Sequence, residues 1–425
     1  MQRRIPRTRI RRTVAAMAAT AGVFALTACG SGFNDPQASG GASGSAGALS
    51  SSDQPLTVLI GSSGDAETAA VKSAVADWSS SSGTKATVQA ASDLNQQLSQ
   101  GFASGKPADV FYLGADTFAN YAKQGSLLAY GDQLKNKDDY YPSLVTNFTY
   151  DGKFTCAPKD FSTLALEINT KMWDAAGLTD ADVPTTWDQL KSVAQKLTTP
   201  KVAGLVTSNE YQRLGAFMVE AGGNLMNDTS TKATADSAAN KQALTYVQDG
   251  LKSGWWKFTT DVGAGWGGEA FGKGLAAMTI EGNWITGAMK SDYPDVDYKV
   301  VPLPAGPAGK GTLQFTNCWG IAADSPNQAA ALKLVEQLTS SDDQLAFAKA
   351  FGPMPSVQSA ADGWKKIYPD YSAFIDSADF AKGVPTAAGN GDVVTDLNSK
   401  LGSLKTADID SLLGTAQKNL SALQG

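Results

Sequence analysis

The sixty residues from position 55 alternate between strand-like and helix-like hydrophobic patterns, which constrains the fold more than any other feature of the chain. PLTVLIG at 55–61 and ADVFYLG at 108–114 are apolar runs of the kind found in buried strands. Between them, Val71, Val75 and Trp78 recur at helical spacing, and ATVQAA has an extended pattern. This strand–helix–strand–helix–strand order predicts an α/β lobe with a largely parallel sheet.

Two helix starts are signalled further along the chain. In VPTTWDQL, Thr186 lies three residues before Gln189, which is the spacing of a capping box. In DSPNQAAALKLVEQL, Ser325 is the predicted N-cap and Gln328 its capping-box partner. Both helices are expected to be structural.

The N-terminus carries an export signal and not a membrane span. MQRRIPRTRIRR is basic, TVAAMAATAGVFALTA is a short apolar run and small residues precede Cys29, which predicts a signal peptide over residues 1–28. LTAC resembles the bacterial lipobox, and this resemblance implies that Cys29 is lipidated and holds the protein on the extracytoplasmic face of the cell membrane. The two arginines at 11–12 leave both Sec and twin-arginine export open. Residues 29–54, rich in Gly and Ser, are expected to form a flexible tether.

The composition excludes several classes of function. The chain has no histidine, so catalytic triads and histidine metal sites are excluded. NDTSTKATAD lacks the ligand spacing of an EF-hand loop, and neither a metal nor a cofactor is expected. The formal net charge of −6 becomes more negative once the six arginines of the signal peptide are removed. Because an acidic body repels phosphate backbones, no nucleic-acid partner is expected.

Five segments in a fixed order resemble one protein family, and together they extend over most of residues 55–420. The family is the extracellular solute-binding proteins of carbohydrate ABC importers, the group that includes maltose-binding protein. The segments are ADVFYLGADTFANYAKQGSLLAY, FTCAPKDFSTLALEINTKMWDAAGL, VPTTWDQL, AFGKGLAAMTIEGNW and TNCWGIAADSPNQAAALKLVEQLTSSDDQ.

The resemblance implies a two-lobed, type II periplasmic-binding-protein fold. Each lobe would be a mostly parallel sheet flanked by helices, and three hinge crossings would join the lobes. One lobe would comprise residues 53–157 and 313–352, and the other residues 158–305 and 356–425.

Two cysteines remain beside the lipobox residue. Outside the cell such thiols often pair, but no spacing rule decides between a disulfide and two buried thiols. The resemblance places Cys156 and Cys318 in strands near the hinge that could be neighbours, and this favours a disulfide.

GLAAMTIEGNW at 274–284 is the main candidate for a binding segment, because an apolar strand ends in an acid, a glycine, an amide and an indole. A sugar needs flat apolar surfaces for its C–H faces and polar groups for its hydroxyls. A hydrogen bond to a charged group contributes about 1.5–3 kcal/mol, against about 1 kcal/mol for a neutral one. Glu281 and Asn283 could take hydroxyls, and Trp284 occupies the family's aromatic position. A core tryptophan and a simple turn are the structural alternatives.

Other candidate residues follow strands or lie in loops with few side chains. Asp116 follows a buried strand and matches a sugar-binding acid of the family, although capping a helix is a competing role. Asp160 and Phe161 lie just past the first expected crossing, and Trp266 lies among glycines with little to pack against. The remaining candidates flank Cys318, lie in loops where the family gathers ligand groups, or belong to the SGWWKF pair: Asn317, Trp319, Ser63, Glu67, Asn209, Tyr211, Asn390 and Trp255.

These residues predict a monomeric two-lobed clamp that binds an oligosaccharide without covalent chemistry. The clamp would close by hinge motion around the sugar and be recognised by the permease subunits of an ABC importer. Two alternatives stay open. A secreted carbohydrate-active enzyme would use a pair of carboxylates, and the same fold could bind a peptide or a polyamine.

Overall fold

A computed structural model of the protein describes residues 48–424. The predicted signal peptide, Cys29 and most of the predicted tether lie outside the described residues. Within residues 48–424, no helix is both long enough and apolar enough to cross a membrane.

The described residues form α-helices and β-strands that alternate along most of the chain. The strands are β1 (Leu56–Ile60), β2 (Ala86–Ala90), β3 (Val110–Gly114), β4 (Thr149–Tyr150), β5 (Lys153–Phe154), β6 (Ala157–Asn169), β7 (Ala203–Thr207), β8 (Trp256–Phe258), β9 (Ala276–Gly282), β10 (Tyr298–Val301), β11 (Thr312–Ile321) and β12 (Ala381–Gly383). The helices are α1 (Asp65–Ser82), α2 (Leu94–Ala103), α3 (Ala115–Lys123), α4 (Pro142–Asn147), α5 (Thr170–Ala175), α6 (Trp187–Leu197), α7 (Tyr211–Glu220), α8 (Ala238–Ser253), α9 (Gly267–Gly272), α10 (Ile285–Asp292), α11 (Gln328–Leu338), α12 (Ser341–Phe351), α13 (Ala361–Ile367), α14 (Ser372–Asp376), α15 (Asn390–Leu401) and α16 (Ile409–Ala422).

One mixed sheet organises these elements. Its strand order is β2-β1-β3-β11-β6-β9-β7-β8, with β10 also beside β6 and β12 beside β11. β1 pairs in parallel with β2 and β3, and β7 pairs in parallel with β8 and β9. β11 and β6 are antiparallel to each other, and each is antiparallel to its outer neighbour, β3 or β9. The α/β class predicted from the sequence is confirmed.

β6 and β11 connect two hydrophobic cores, called here the first core, around β1 and β3, and the second core, around β7 and β9. Ala157 at the start of β6 packs in the first core, whereas Leu166 packs in the second. β11 runs the opposite way, with Leu313 in the second core and Trp319 in the first. At about 3.3 Å per residue, the 13 residues of β6 extend roughly 40 Å, which is enough to traverse both. The two cores are the two lobes, and the residue boundaries given above for the lobes stay a prediction.

A disulfide joins the two connecting strands on the side of the first core. Cys156, directly before β6, is bonded to Cys318 of β11, with Cα atoms 5.7 Å apart. Both side chains are fully buried in the first core. The covalent link therefore holds one end of the β6–β11 pair together.

Ser50, which falls within the predicted tether, is hydrogen-bonded to the start of α11. Its hydroxyl donates to the carbonyl of Ser325 at 2.7 Å and accepts from the amide of Gln328 at 3.2 Å, and its carbonyl accepts from the amide of Ala329 at 3.0 Å. The predicted N-cap at Ser325 is wrong, because its hydroxyl donates to Asp109 and α11 begins three residues later. Ser50 thus satisfies α11 amides from outside the helix.

The N-cap predicted at Thr186 is confirmed, but the return bond of the predicted capping box goes to the preceding residue, Thr185, and not to Thr186. Thr186 is the N-cap, and its hydroxyl accepts from the amide of Gln189 at 3.3 Å. The Gln189 side chain accepts in return from the amide of Thr185 at 2.8 Å. The reciprocal bonds fix where α6 begins.

Replacing both Cys156 and Cys318 by alanine is expected to lower the free energy of unfolding by about 2–5 kcal/mol, because the bond closes a long loop in the unfolded chain. The two positions are 162 residues apart. Urea denaturation of the wild type and the double variant measures the difference. A reductant should move the wild-type midpoint to that of the double variant and leave the variant unchanged. Equal midpoints without reductant would contradict a stabilising role.

Candidate functional site

A cleft of about 1100 Å³ lies where β6 and β11 pass between the two cores. Residues 159–162 of β6 and 315–317 of β11 form its floor, and the segments that follow β1, β3 and β9 form much of its rim. These segments lie at the carboxyl ends of their strands, which is where α/β sheets commonly bind ligands. The cleft is therefore the candidate binding site.

Trp284 is the most conspicuous side chain in the cleft. It is 39% exposed, the only large hydrophobic side chain in the described range to be so open. The Arg213 guanidinium lies 5.1 Å from the indole centroid, and the Phe315 ring packs edge-on at 5.5 Å. A Cβ on Gly282 would lie 2.2 Å from the indole, so glycine is required for the ring to lie over the end of β9. The indole therefore packs against Arg213, Phe315 and the backbone at Gly282, and the rest of the ring is exposed to the cleft.

Glu281 supports Trp284 and does not reach the cleft itself. Its Oε2 accepts from the indole Nε1 of Trp284 at 2.9 Å and from Nε and Nη2 of Arg213 at 3.1 and 2.6 Å. The carboxyl is fully buried, and burial raises its pKa although the Arg213 charge opposes the rise. The expectation that Glu281 takes a ligand hydroxyl therefore does not fit its position. Arg213 was not among the sequence candidates, although it is the only arginine of the sequence after residue 12, and that rarity was the available signal.

A β-bulge sets the geometry of the cleft floor. Asn317 of β11 pairs with Asp160 of β6, but the next residue, Cys318, pairs with Pro158. Lys159 is therefore the extra residue on β6. Such a bulge re-aims side chains of the strand that contains it. Asp160 and Asn317 line the cleft beside it, while Cys318, the next residue of β11, points into the first core.

Lys159 is buried against two acids at the bulge. Its ammonium pairs with Asp160 and, at 3.2 Å, with Oε1 of Glu67, and lies 4.4 Å from the ring centroid of Tyr112. Burial acts to raise the pKa of Glu67, but the Lys159 charge and hydrogen bonds from Ser63 and Tyr112 outweigh it and lower the pKa below its usual value. For Asp160, burial outweighs Lys159 and raises the pKa. The cluster fixes charges at the junction of the two cores.

The charged side chains that line the cleft balance one another. They are three acids and three lysines: Glu67, Asp116, Asp160, Lys159, Lys290 and Lys349. At neutral pH the lining therefore has no surplus charge of either sign when all six are ionised.

Tyrosines that the sequence reasoning missed line another part of the cleft. Tyr298 and Tyr371 stack at 6.2 Å with their rings 16° from parallel, and their hydroxyls are 3.1 Å apart. Tyr293 and Tyr368 line the same cleft. These residues come from two segments that are distant in the chain, with Tyr298 and Tyr371 separated by 73 positions, and each segment is unremarkable alone. The only available signal was the density of tyrosine within each segment.

The structure brings eight of the sequence candidates together. The side-chain amide of Asn283 donates to the carbonyl of Gly352 at 3.1 Å and so contacts the segment after α12. Phe161 lines the floor although it is only 3% exposed. The eight residues that line the cleft are Ser63, Glu67, Asp116, Asp160, Phe161, Asn283, Trp284 and Asn317.

Three aromatic candidates are buried in the cores, so the structure does not support cleft roles for them. Trp255 packs against Tyr246 in the second core with ring centroids 5.7 Å apart. Trp319 packs edge-on against Tyr112 in the first core, at 4.6 Å. It shares a face with Asn317 in β11, which pairs regularly with β3 at these positions, but it lies two residues further into the first core. Tyr211 is also buried, and its hydroxyl bonds to an asparagine amide oxygen.

Three further candidates lie elsewhere on the molecule. Trp266 is half-buried with its ring over Gly268, where a Cβ would lie 2.0 Å from it, so the bare loop is itself the packing surface. Asn390 starts α15, and its amide donates to the carbonyl of Pro385 at 2.9 Å. Asn209 lies beside Gly402, after α15. None of the three lines the cleft.

Residues 61–345 match the family of bacterial extracellular solute-binding proteins. The chain belongs to this family. A binding protein of Brucella abortus is 24% identical over 276 residues, a match that spans 62% of this chain and 66% of the relative.

Solved structures of similar fold include proteins with different ligands. The cyclic α-maltosyl-1,6-maltose binding protein of Arthrobacter globiformis is 20% identical, with a TM-score of 0.77 over 87% of this chain and 99% of that one. UgpB of Mycobacterium tuberculosis, solved with glycerophosphocholine, is 18% identical, with a TM-score of 0.71 over 87% and 98%. At this identity the likeness shows the fold alone, which is the type II periplasmic-binding-protein fold.

Replacing Lys159 by methionine is expected to lower the free energy of unfolding at pH 7 by about 3–5 kcal/mol, because buried Glu67 loses its cation. The deficit should shrink as the pH falls toward 4. In the variant, the carboxyls that Lys159 no longer neutralises are expected to take up protons as the pH falls, and this removes their unpaired charge. In the wild type, the stability that comes from the lowered pKa of Glu67 is lost over the same pH range.

Urea denaturation at pH 7 and pH 4 measures both effects. Lys349→Met is the matched control, since Lys349 also lines the cleft but has no salt bridge within residues 48–424. An equal deficit at the two pH values would contradict the assignment of Lys159 as the counter-ion.

Proposed function

We propose that the protein binds an uncharged oligosaccharide in the cleft and delivers it, chemically unchanged, to an ABC importer. The observation that carries this proposal is the exposed indole of Trp284 above a fully buried supporting carboxylate. Burying an apolar ring stabilises a protein, and leaving one exposed forgoes that gain. A ligand with an apolar face would cover it.

The groups around Trp284 suit the rim of a sugar. Asp116, Asp160 and Asn317 line the same cleft and can accept or donate hydrogen bonds to hydroxyls. The cleft volume of about 1100 Å³ exceeds the roughly 300–1,000 Å³ of typical small-ligand sites, which supports a solute of more than one ring. The Arthrobacter protein of similar fold, named for binding a cyclic maltosyl-maltose, adds support.

The charge balance of the lining argues against the alternative solutes of this fold. A polyamine would need a surplus of acids, and a phosphate-rich solute would need a surplus of cations. The three acids and three lysines provide neither. A neutral polyhydroxy compound is the class that this lining fits best.

An enzymatic alternative is less well supported by the acids of the cleft. Glycoside hydrolysis ordinarily uses two carboxyl groups on opposite sides of the scissile bond. Glu67 and Asp160 instead share the ammonium of Lys159, and Glu281 is buried under Trp284. Asp116 is then the one acid of the lining without a salt bridge in the described range, and a single free carboxyl does not make the catalytic pair, so we assign binding and not catalysis to this site.

The mechanism follows from the two crossing strands. A solute that contacts residues from both cores would stabilise the closed form, and the importer would recognise that form. On this proposal the predicted lobes, 53–157 with 313–352 and 158–305 with 356–425, move as units. The protein would be a monomer held at the extracytoplasmic face of the membrane by lipidated Cys29.

A thermal-shift panel tests the solute class. Maltose, maltotetraose and raffinose represent sugars, and spermidine, a tripeptide and glycerophosphocholine represent the alternatives. A solute that binds only the folded protein raises its melting temperature. The proposal predicts a rise with at least one oligosaccharide, none with spermidine, and recovery of the sugar intact after incubation. A response confined to the charged compounds would contradict it.

Trp284→Ala is expected to weaken affinity for the sugar so identified about thirtyfold, corresponding to about 2 kcal/mol for a central aromatic contact. Isothermal titration calorimetry measures the change. Trp266→Ala is the matched control, because that indole lies outside the cleft. Unchanged affinity in Trp284→Ala would remove the proposed platform.

A further inference from the structure

Helix α10 extends one wall of the cleft away from Trp284. Trp284 is the N-cap of α10 and Tyr293 is its C-cap, so at 1.5 Å per residue their Cα atoms are about 14 Å apart. Thr286, Lys290 and Tyr293 line the cleft, and their spacing of four and then three residues places them on one face of the helix. The cleft therefore runs along this face, from the indole to the tyrosines.

The middle of this helix face is bare at Gly287. Gly287 lines the cleft, and a Cβ added to it would meet no heavy atom within 4 Å. Glycine in the interior of a helix is destabilising relative to alanine, and here there is room for a side chain. Packing within residues 48–424 thus gives no reason for a glycine at this position, whereas a ligand lying along α10 would need the space.

The tyrosines at the far end of the cleft are held in place by buried rings. Tyr298 stacks on Tyr371 and packs edge-on against the buried ring of Phe271, with centroids 6.0 Å apart. Tyr368 packs against the buried Trp364 at 5.1 Å, and its hydroxyl donates to a main-chain carbonyl at 2.7 Å. All three tyrosines are half-buried and line the cleft. They form a fixed wall and not a set of mobile surface side chains.

This wall suits a sugar ring for the same reasons as Trp284. A tyrosine ring offers an apolar face, and its hydroxyl both donates and accepts hydrogen bonds. Burial raises the pKa of Tyr298, so its hydroxyl keeps the proton that it can donate. No charged group is needed for either contact, which fits an uncharged ligand.

The distance between the two aromatic surfaces sets the length of a ligand that contacts both. β6 pairs with the strands that carry them, through Leu164 with Gly282 and through Asn169 with Tyr298. These positions on β6 are five residues apart, or about 17 Å at 3.3 Å per residue. Ring-to-ring contacts are made at centroid distances of only about 4.5–7 Å. A ligand that reaches from the indole to the tyrosines must therefore contain several rings.

We propose that Tyr298 and Tyr371 form a second sugar subsite, and that Gly287 leaves the space through which the sugar chain passes between this subsite and Trp284. The cleft would then select an oligosaccharide longer than a disaccharide. This inference rests on the proposed function, because it concerns the same cleft. It adds the length of the solute and its direction along α10.

Isothermal titration calorimetry with maltose, maltotetraose, cellobiose and cellotetraose tests this inference, because it compares a short with a long sugar in two linkages. We expect the wild type to bind the tetrasaccharide at least about tenfold more tightly than the disaccharide in at least one series. That factor is the effect of one added aromatic contact.

Two variants locate the source of the advantage. Gly287→Leu places a side chain in the path of the sugar, and leucine favours a helix over glycine, so the melting temperature should not fall. Tyr371→Ala removes part of the second subsite and leaves α10 unchanged. Each variant should remove the advantage of the tetrasaccharide, and Tyr371→Ala should leave affinity for the disaccharide unchanged. Gly414→Leu in α16 is the matched control, because a Cβ there also meets no heavy atom within 4 Å and Gly414 lies outside the cleft.

The possible failures are distinguishable. Equal affinity of the wild type for the short and the long sugar of every series that binds would overturn this inference and leave the proposed function standing. An advantage that either Gly287→Leu or Tyr371→Ala retains would do the same. No binding of any of the four sugars would overturn the inference together with the oligosaccharide assignment on which it rests.

Discussion

The antiparallel pairing of β6 with β11 is the interaction on which the rest of the structure depends. Each strand is long enough to belong to both hydrophobic cores, so the lobes share a sheet and are not joined by flexible linkers. The pairing is regular within each half and changes register at the bulge beside Asp160 and Asn317. The cleft opens at the same place. The bulge thus interrupts the hydrogen-bonding pattern of β6 and β11 between the two cores. The disulfide holds the two strands together on the side of the first core.

The proposed binding platform, Trp284, is an exposed ring held in place by a buried charge pair. Glu281 and Arg213 are both removed from solvent, a state that is costly unless each charge is paired and hydrogen-bonded. Oε2 of Glu281 is paired with Arg213 and also accepts from the indole of Trp284, whereas Oε1 has no hydrogen-bond partner among the described residues. The ring is therefore held in one orientation before any solute arrives. A pre-organised group loses less conformational freedom on binding than a mobile one.

The sequence predicted those features that depend on local pattern. Apolar runs and helical spacing predicted the α/β class, and the N-cap residue Thr186 located the start of α6. Trp284 and Asp116 were found because a polar or aromatic residue directly after a buried strand is placed at the sheet edge, whatever the remaining fold.

Ser325 failed as an N-cap because a distant partner, Asp109, takes its hydroxyl and Ser50 approaches the helix from the N-terminal segment. The tyrosines of the cleft and the Arg213 contact to Trp284 depend likewise on contacts between distant segments. Trp255 and Trp319 show the converse, since exposure cannot be read from residue type alone.

The most direct measurement is a crystal structure of the protein with the sugar that gives the largest thermal shift. The account predicts a sugar ring stacked on the indole of Trp284, with hydroxyls bonded to Asp116 or Asp160, so that one ligand contacts residues from both cores. A bound sugar that contacts a single core, or that leaves the indole uncovered, would contradict it.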